Sequence, residues 1–202
     1  NRVLLVSDDD MQGDENDPIG VKHLRANEDI FEIIKDESPE LDIFELVMFE
    51  YQFNNQYFKP EATNKLIEFI NNGVSYINYF GHGAPDLWAD ERLLRPSDIS
   101  AMRNSGKYPV IGSYSCSVGY FDEPGNESLS EKLVNTSGRG GIVSVSATRE
   151  AGRLSNERIA SNFAENLFNK TNNFTIGQAY LNAKLSTSSN IKYYSVLGDP
   201  SL

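Results

Sequence analysis

The chain has 202 residues, 39% of them hydrophobic, enough material for one core and too little for two. Its 18 basic and 29 acidic residues leave a net charge of −11 and no basic patch, which argues against nucleic acid or an anionic membrane surface as a partner. A single cysteine rules out an internal disulfide and a Cys-rich zinc site, and no apolar run reaches the roughly 20 residues of a membrane helix.

Asn1 leads straight into an apolar run and the chain stops at Leu202, so residues 1–202 are expected to be one domain excised from a larger protein. RVLLVS, Arg2 to Ser7, predicts a first strand. It opens into an acidic loop holding Asp8, Asp9, Asp10, Asp14, Glu15 and Asp17. The spacing does not fit an EF-hand, and a solvated loop is the plainer reading beside a calcium site. Leu24, Ile30, Phe31, Ile33 and Ile34 predict a helix from about Val21 to Lys35, closed by Ser38-Pro39. His23 falls among charges on that helix and is expected at the surface.

A second strand follows at Leu41 to Phe49, then a helix over Pro60 to Asn72 stopped by Gly73. Val74 to Phe80 is the third strand. Ser97 is expected to cap a short helix, SDISAMRN. Tyr108 to Tyr114 is the fourth strand, Ser128 to Val134 a helix, and GIVSVS, Gly141 to Ser146, the fifth strand. Helices over Asn156 to Phe168 and Thr175 to Leu185 precede a last strand at Ile191 to Leu197. Strands alternating with helices predict an α/β three-layer α/β/α sandwich around a mostly parallel sheet of about six strands.

Two of these strands end alike. VSYINYFGHG delivers His82 between two glycines, and YPVIGSYSC delivers Cys116 in a shell of Ser113, Ser115, Ser117 and Gly119. Ligands of open α/β sheets sit outside the carboxyl ends of the strands. An imidazole and a thiol placed there are the parts of a cysteine nucleophile site. A lone cysteine is commonly just a small buried hydrophobe, but such a cysteine would have Val, Leu or Ala for neighbours. Glycines beside His82 permit positive φ or close approach of another chain. The N–H groups of Gly83 and Cys116 are therefore the candidate oxyanion hole. Other thiol chemistries fail on spacing: the sixth residue after Cys116 is Asp122, where a tyrosine phosphatase needs Arg, and neither C-x-x-C nor G-x-S-x-G occurs.

Beyond this pairing, YFGHGAPDLWADERLLRPSDI, SCSVGYFDEPGNESLSEKL, GGIVSVSATRE and VLGDPSL resemble the gingipain-type cysteine peptidases of the caspase-like clan. Within that family they are most similar to the PorU-type sortases of the type IX secretion system in Bacteroidetes. The resemblance runs from about Arg2 to Leu202 and is most specific in the middle third. It implies a caspase-like fold, Cys116 as nucleophile, His82 as general acid/base, and Gly83 and Cys116 as oxyanion donors. It implies cleavage of the C-terminal sorting domain from exported cargo, with the acyl group passed to a lipopolysaccharide amine. The setting would be the extracellular side of the outer membrane, among other secretion components.

No cofactor is expected for catalysis. The family's calcium binding points to Asp8, Asp10 and Asp14 as a structural calcium site. A family acid that orients the histidine leaves Asp8, Asp10, Glu28 and Glu32 as candidates. Trp88, Ser146 and Thr148 are expected near the substrate, with Ser144 beside them, although Trp88 could equally pack its loop onto the sheet. Arg149 and Arg153 could meet a peptide carboxylate, although paired surface charges are the plainer reading. Two rival readings are a general secreted protease and a catalytically latent, cargo-binding adaptor.

Overall fold

The computed structural model describes residues 1–9, 21–187 and 193–202. In chain order the elements are β1 (Arg2–Ser7), α1 (Lys22–Glu37), β2 (Asp42–Val47), α2 (Pro60–Asn72), β3 (Tyr76–Phe80), β4 (Gly83–Ala84), β5 (Leu87–Trp88), β6 (Val110–Tyr114), α3 (Leu129–Asn135), β7 (Val143–Ala147), α4 (Arg153–Phe168), α5 (Ile176–Ser186) and β8 (Tyr194–Gly198). Six strands form one sheet in the order β2-β1-β3-β6-β7-β8; β4 and β5 make a separate small hairpin.

All pairings of the large sheet are parallel except β7 with β8. A crossover that carries the chain back to the opposite end of the sheet yields a parallel neighbour; between β3 and β6 it is made by the β4–β5 hairpin and a 3₁₀ turn. Between β7 and β8 there are two helices, α4 and α5, and the chain comes back to the edge it left. Hence β8 runs antiparallel.

The strands β3, β6 and β7 are buried along their whole length, as strands covered on both faces must be. One face packs α1, α4 and α5 around Ile30, Ile34, Tyr76, Phe80, Tyr114 and Phe163. The other packs α2, α3 and the β4–β5 hairpin around Leu66, Ile77, Tyr79, Trp88, Leu94 and Leu133. This is the expected three-layer sandwich. Its strand order reverses between β1 and β3, so a crevice opens at their carboxyl ends.

Two local elements differ from expectation. The second strand stops at Val47 and passes into a 3₁₀ turn, Met48–Glu50, because the Met48 carbonyl accepts from Tyr51 N–H and from the Lys59 ammonium. The segment expected as a Ser97-capped helix is a 3₁₀ turn, Pro96–Ala101, with Arg95 in the capping position. There Pro96 occupies the first position and Asp98 accepts from the Arg95 N–H at 2.9 Å. Of the two readings of Trp88 the packing one holds: it is fully buried and stacks on Tyr79, ring centroids 4.3 Å apart, fixing the hairpin to the sheet and lying outside the cleft at Cys116.

Candidate active site

The register of β3 against β6 sets the site. Phe80 lies opposite Tyr114, so His82 and Cys116 each leave the sheet two residues further on, side by side at one edge. On the other flank of β3, Ser7 lies opposite Phe80, and Asp8 continues the ladder by donating its N–H to the Phe80 carbonyl at 2.9 Å. Three neighbouring strands thus deliver a carboxylate, an imidazole and a thiol.

His82 is exposed, but its backbone is pinned from both sides. Its N–H donates to Asp8 Oδ2 at 2.8 Å, and its carbonyl accepts from the Tyr79 hydroxyl at 2.7 Å and from Ala89 N–H at 3.0 Å. The flanking glycines serve close approach; neither has positive φ. A Cβ on Gly81 would sit 2.3 Å from the Tyr79 hydroxyl and 2.4 Å from Asp8 Cβ. One on Gly83 would meet Ser115 Oγ at 2.6 Å and the Cys116 carbonyl at 2.9 Å. Gly83 therefore lies against the backbone that carries the thiol. Its hairpin partner Trp88 bonds Leu93 and Leu94, so Gly83 is the non-hydrogen-bonded member of the ladder and turns its N–H away from the hairpin.

Cys116 is half-buried, with its thiol 3.5 Å from the Ala151 carbonyl. Positive φ appears one residue later, at Ser117 (φ 55°), a conformation that costs a non-glycine residue about 1 kcal/mol or more. The turn is held because Ser117 N–H donates to the Arg149 carbonyl at 3.1 Å and Gly119 N–H to the Ala147 carbonyl at 2.8 Å. The strand β6 thereby breaks sharply after Cys116. The thiol faces an open cleft of about 680 Å³ bordered by Gly83, Pro85, Ser117, Glu150 and Gly152. A second hollow of about 610 Å³, reaching Tyr120 and Tyr193, continues from it past Pro85 and Ser117.

Asp8 is the buried carboxylate at this edge. Desolvation pushes it up to about 8, against the lowering pull of the His82 N–H; Glu91 and Asp9 add to the rise. Burial likewise raises Glu91. Asp9 is neutralised by Lys59, whose ammonium lies 2.7 Å from Asp9 Oδ2, both side chains being buried. Glu91 turns inward toward this group, while its neighbour Arg92 stacks over Phe58 at 4.2 Å.

The largest departure from expectation is His23. It is buried, and its ring meets His82 edge-on with centroids 5.5 Å apart. Ligating atoms of Asp8, His23 and His82 all lie within 4.8 Å of one another. The signal was present in the sequence. His23, Asn27, Ile30 and Ile34 fall at i, i+4, i+7 and i+11 on one helical face, and all four are buried.

Of the residues expected near substrate, Ser146 and Ser144 are fully buried and their hydroxyls meet Ser130 of α3 at 2.8 and 3.0 Å. They fasten α3 to the sheet and line no pocket. Thr148 is half-buried and donates to the Tyr193 carbonyl at 2.8 Å, beside the second hollow. Arg149 pairs with Asp122 and Arg153 with Glu157 on the surface, as expected. Among the expected calcium ligands, Asp8 accepts from the backbone N–H groups of His82 and Asp9, one on each carboxylate oxygen; Asp10 and Asp14 lie outside the described residues. Glu28 and Glu32 are on α1, outside the groups clustered at His82.

The whole chain, residues 1–202, matches the profile described as peptidase family C25. Over 80 residues, 36% of this chain and 5% of the relative, it is 31% identical to Lys-gingipain W83 of Porphyromonas gingivalis. It is similar to the structure of the complex of Porphyromonas gingivalis RgpB pro- and mature domains, with TM-score 0.78, 20% identity, and coverage of 100% of this chain and 48% of that one. Against the Arg-specific cysteine proteinase gingipain R the TM-score is 0.77, with 20% identity over 100% of this chain and 46% of that one. The Drosophila initiator caspase Dronc shares the fold at TM-score 0.55 and 8% identity, over 98% of this chain and 78% of that one. The chain spans about half the length of the gingipain structures it matches.

Proposed function

The chain belongs to peptidase family C25, and from that premise we propose that it cuts peptide bonds by thiol acyl transfer, with Cys116 as nucleophile and His82 as general acid/base. The observation that carries this reading is the β3–β6 register, which brings His82 and Cys116 to one strand edge beside an open cleft. His82 accepts the thiol proton, and Cys116 Sγ attacks the peptide carbonyl carbon. The carbonyl π pair moves to oxygen, where the N–H groups of Gly83 and Cys116 receive the oxyanion. Collapse re-forms the carbonyl and breaks the C–N bond, and the imidazolium returns its proton to the leaving amine. Water or a second amine then attacks the thioester and releases the thiol. Asp8 positions His82 through its backbone N–H.

We propose further that the substrate is the C-terminal sorting domain of type IX secreted cargo. The acyl acceptor is an amine on lipopolysaccharide, and the work is done at the outer cell surface with other secretion components. The motifs around His82 and Cys116 support this PorU-type reading. The match to Lys-gingipain favours the alternative of a general secreted protease. Incubating the protein with cargo bearing its sorting domain, and separately with an unfolded unrelated protein, tells them apart. The sorting reading predicts a single cut before the sorting domain, an amine adduct by mass spectrometry when a primary amine is added, and an intact unrelated chain. Cleavage of both chains with water as the only acceptor assigns the general protease instead.

A further inference from the structure

Asp8, His23 and His82 offer one carboxylate oxygen and two imidazole nitrogens within 4.8 Å of one another. Two of the three residues are buried, and the third, His82, stands exposed at the mouth. A surface group of that composition would be unremarkable; a group held by three packed elements is a built one. Asp8 ends β1, His23 lies in the first turn of α1, and His82 follows β3, so the sheet and its covering helix set their spacing. The N–H groups of His82 and Asp9 orient the Asp8 carboxylate, each oxygen keeping a lone pair to offer. Calcium and magnesium take oxygen donors, whereas two imidazoles with one carboxylate suit zinc and its neighbours, which bind such ligands in a three-residue site with a position left open.

We propose that Asp8, His23 and His82 form a binding site for a zinc-class divalent cation, and that occupancy holds the peptidase in a latent state. Ligation takes the imidazole lone pair with which His82 would accept the Cys116 proton, so the metal-bound and catalytic states exclude each other. The latency half of the inference rests on the reading of His82 as the base; the binding half does not. Removing the ion with a chelator returns His82 to its metal-free state with no covalent change.

The test uses the Cys116→Ala protein, which has no thiol to bind zinc by itself, titrated with zinc chloride in competition with a chromophoric zinc indicator. One zinc per chain is expected, with affinity at least about 10-fold weaker after His23→Gln is added and unaffected by millimolar calcium or magnesium. His82→Ala, at an exposed position, should weaken binding comparably and serves if His23→Gln does not fold. Zinc binding that is absent in Cys116→Ala, or unchanged by both histidine substitutions, overturns the site. The alkylation rate of Cys116 in the otherwise unaltered chain, with and without one equivalent of zinc, reads the latency separately. Slower alkylation with zinc, reversed by chelator, is expected. Binding without any change in rate overturns the latency and bears on the role of His82, leaving the metal site intact.

Discussion

Cys116→Ala is expected to abolish peptide-bond turnover, lowering kcat/KM by at least about 10⁴-fold, while the melting temperature should stay where it was. Removing the nucleophile of a triad-like site costs on this scale because later steps have no covalent intermediate to act on. The stability half of the expectation follows from the surroundings. Cys116 is half-buried among Ser115 and Ser117 and makes only a long contact to the Ala151 carbonyl, so its loss opens no apolar cavity. His82→Ala should lower turnover by a comparable factor, and the double variant should be no worse than either alone, since the two act as one unit. Substrate cleavage by purified variants, set beside their thermal unfolding curves, checks both halves. Turnover surviving in Cys116→Ala would move the chemistry elsewhere.

The second large effect is on the fold. Lys59→Met is expected to cost about 3–5 kcal/mol, the usual consequence of removing one partner from a buried ion pair. For a chain of this size that lowers the melting temperature by roughly 10 °C. Lys59 is 2% exposed, donates to Asp9 Oδ2 at 2.7 Å and to the Met48 carbonyl at 2.8 Å, and lies 4.5 Å over the Phe53 ring. Around it Asp8, Asp9 and Glu91 are all buried with their oxygens within 4.8 Å of one another. Without the ammonium, the Asp9 carboxylate would stay buried beside the carboxyl groups of Asp8 and Glu91 with its ion-pair partner gone. Adding Asp9→Asn to Lys59→Met should recover most of the loss, because the orphaned charge goes with the side chain. Thermal and urea unfolding of the single and double variants measure this, and a double variant no more stable than Lys59→Met would place the cost in packing. The same cluster fixes Asp8, and through it the His82 backbone, so stability and site geometry meet at one lysine.

That lysine was invisible to sequence reading, and the reason is physical. Lys59 precedes Pro60 and a helix, where a charged residue ordinarily points to water, and Glu91 sits in a run of charges, Asp90 to Arg92. Burial of such groups depends on partners from distant parts of the chain, and no local period records them. The strands that carry the chemistry were legible for the opposite reason. YINYF and VIGSY are buried along their whole length, so most positions are apolar or small and the runs stand out. His82 and Cys116 could be picked out because glycine and serine interrupt those runs just where a core would continue them.

The glycines had the right role with only one of the two offered reasons. Close packing against Tyr79, Asp8 and Ser115 demands them at 81 and 83, while the left-handed residue is Ser117. His23 was within reach, since its face was apolar, but the charges at Lys22 and Arg25 suggested a solvated helix end. Trp88 and Ser146 are reminders that proximity in sequence to a reactive residue does not place a side chain in its cleft. Both point into the layers that hold the cleft in shape.

The central claim is that His82 makes Cys116 a nucleophile, and its most direct test is the rate of Cys116 alkylation by iodoacetamide as a function of pH. With one thiol in the chain, intact-mass spectrometry counts the reaction without ambiguity. The account predicts that in metal-free protein Cys116 is alkylated at neutral pH faster than an unassisted thiol, and that His82→Ala slows the reaction toward that unassisted rate. A thiol that does not react in the folded protein, or whose profile is the same with and without the imidazole, would contradict it.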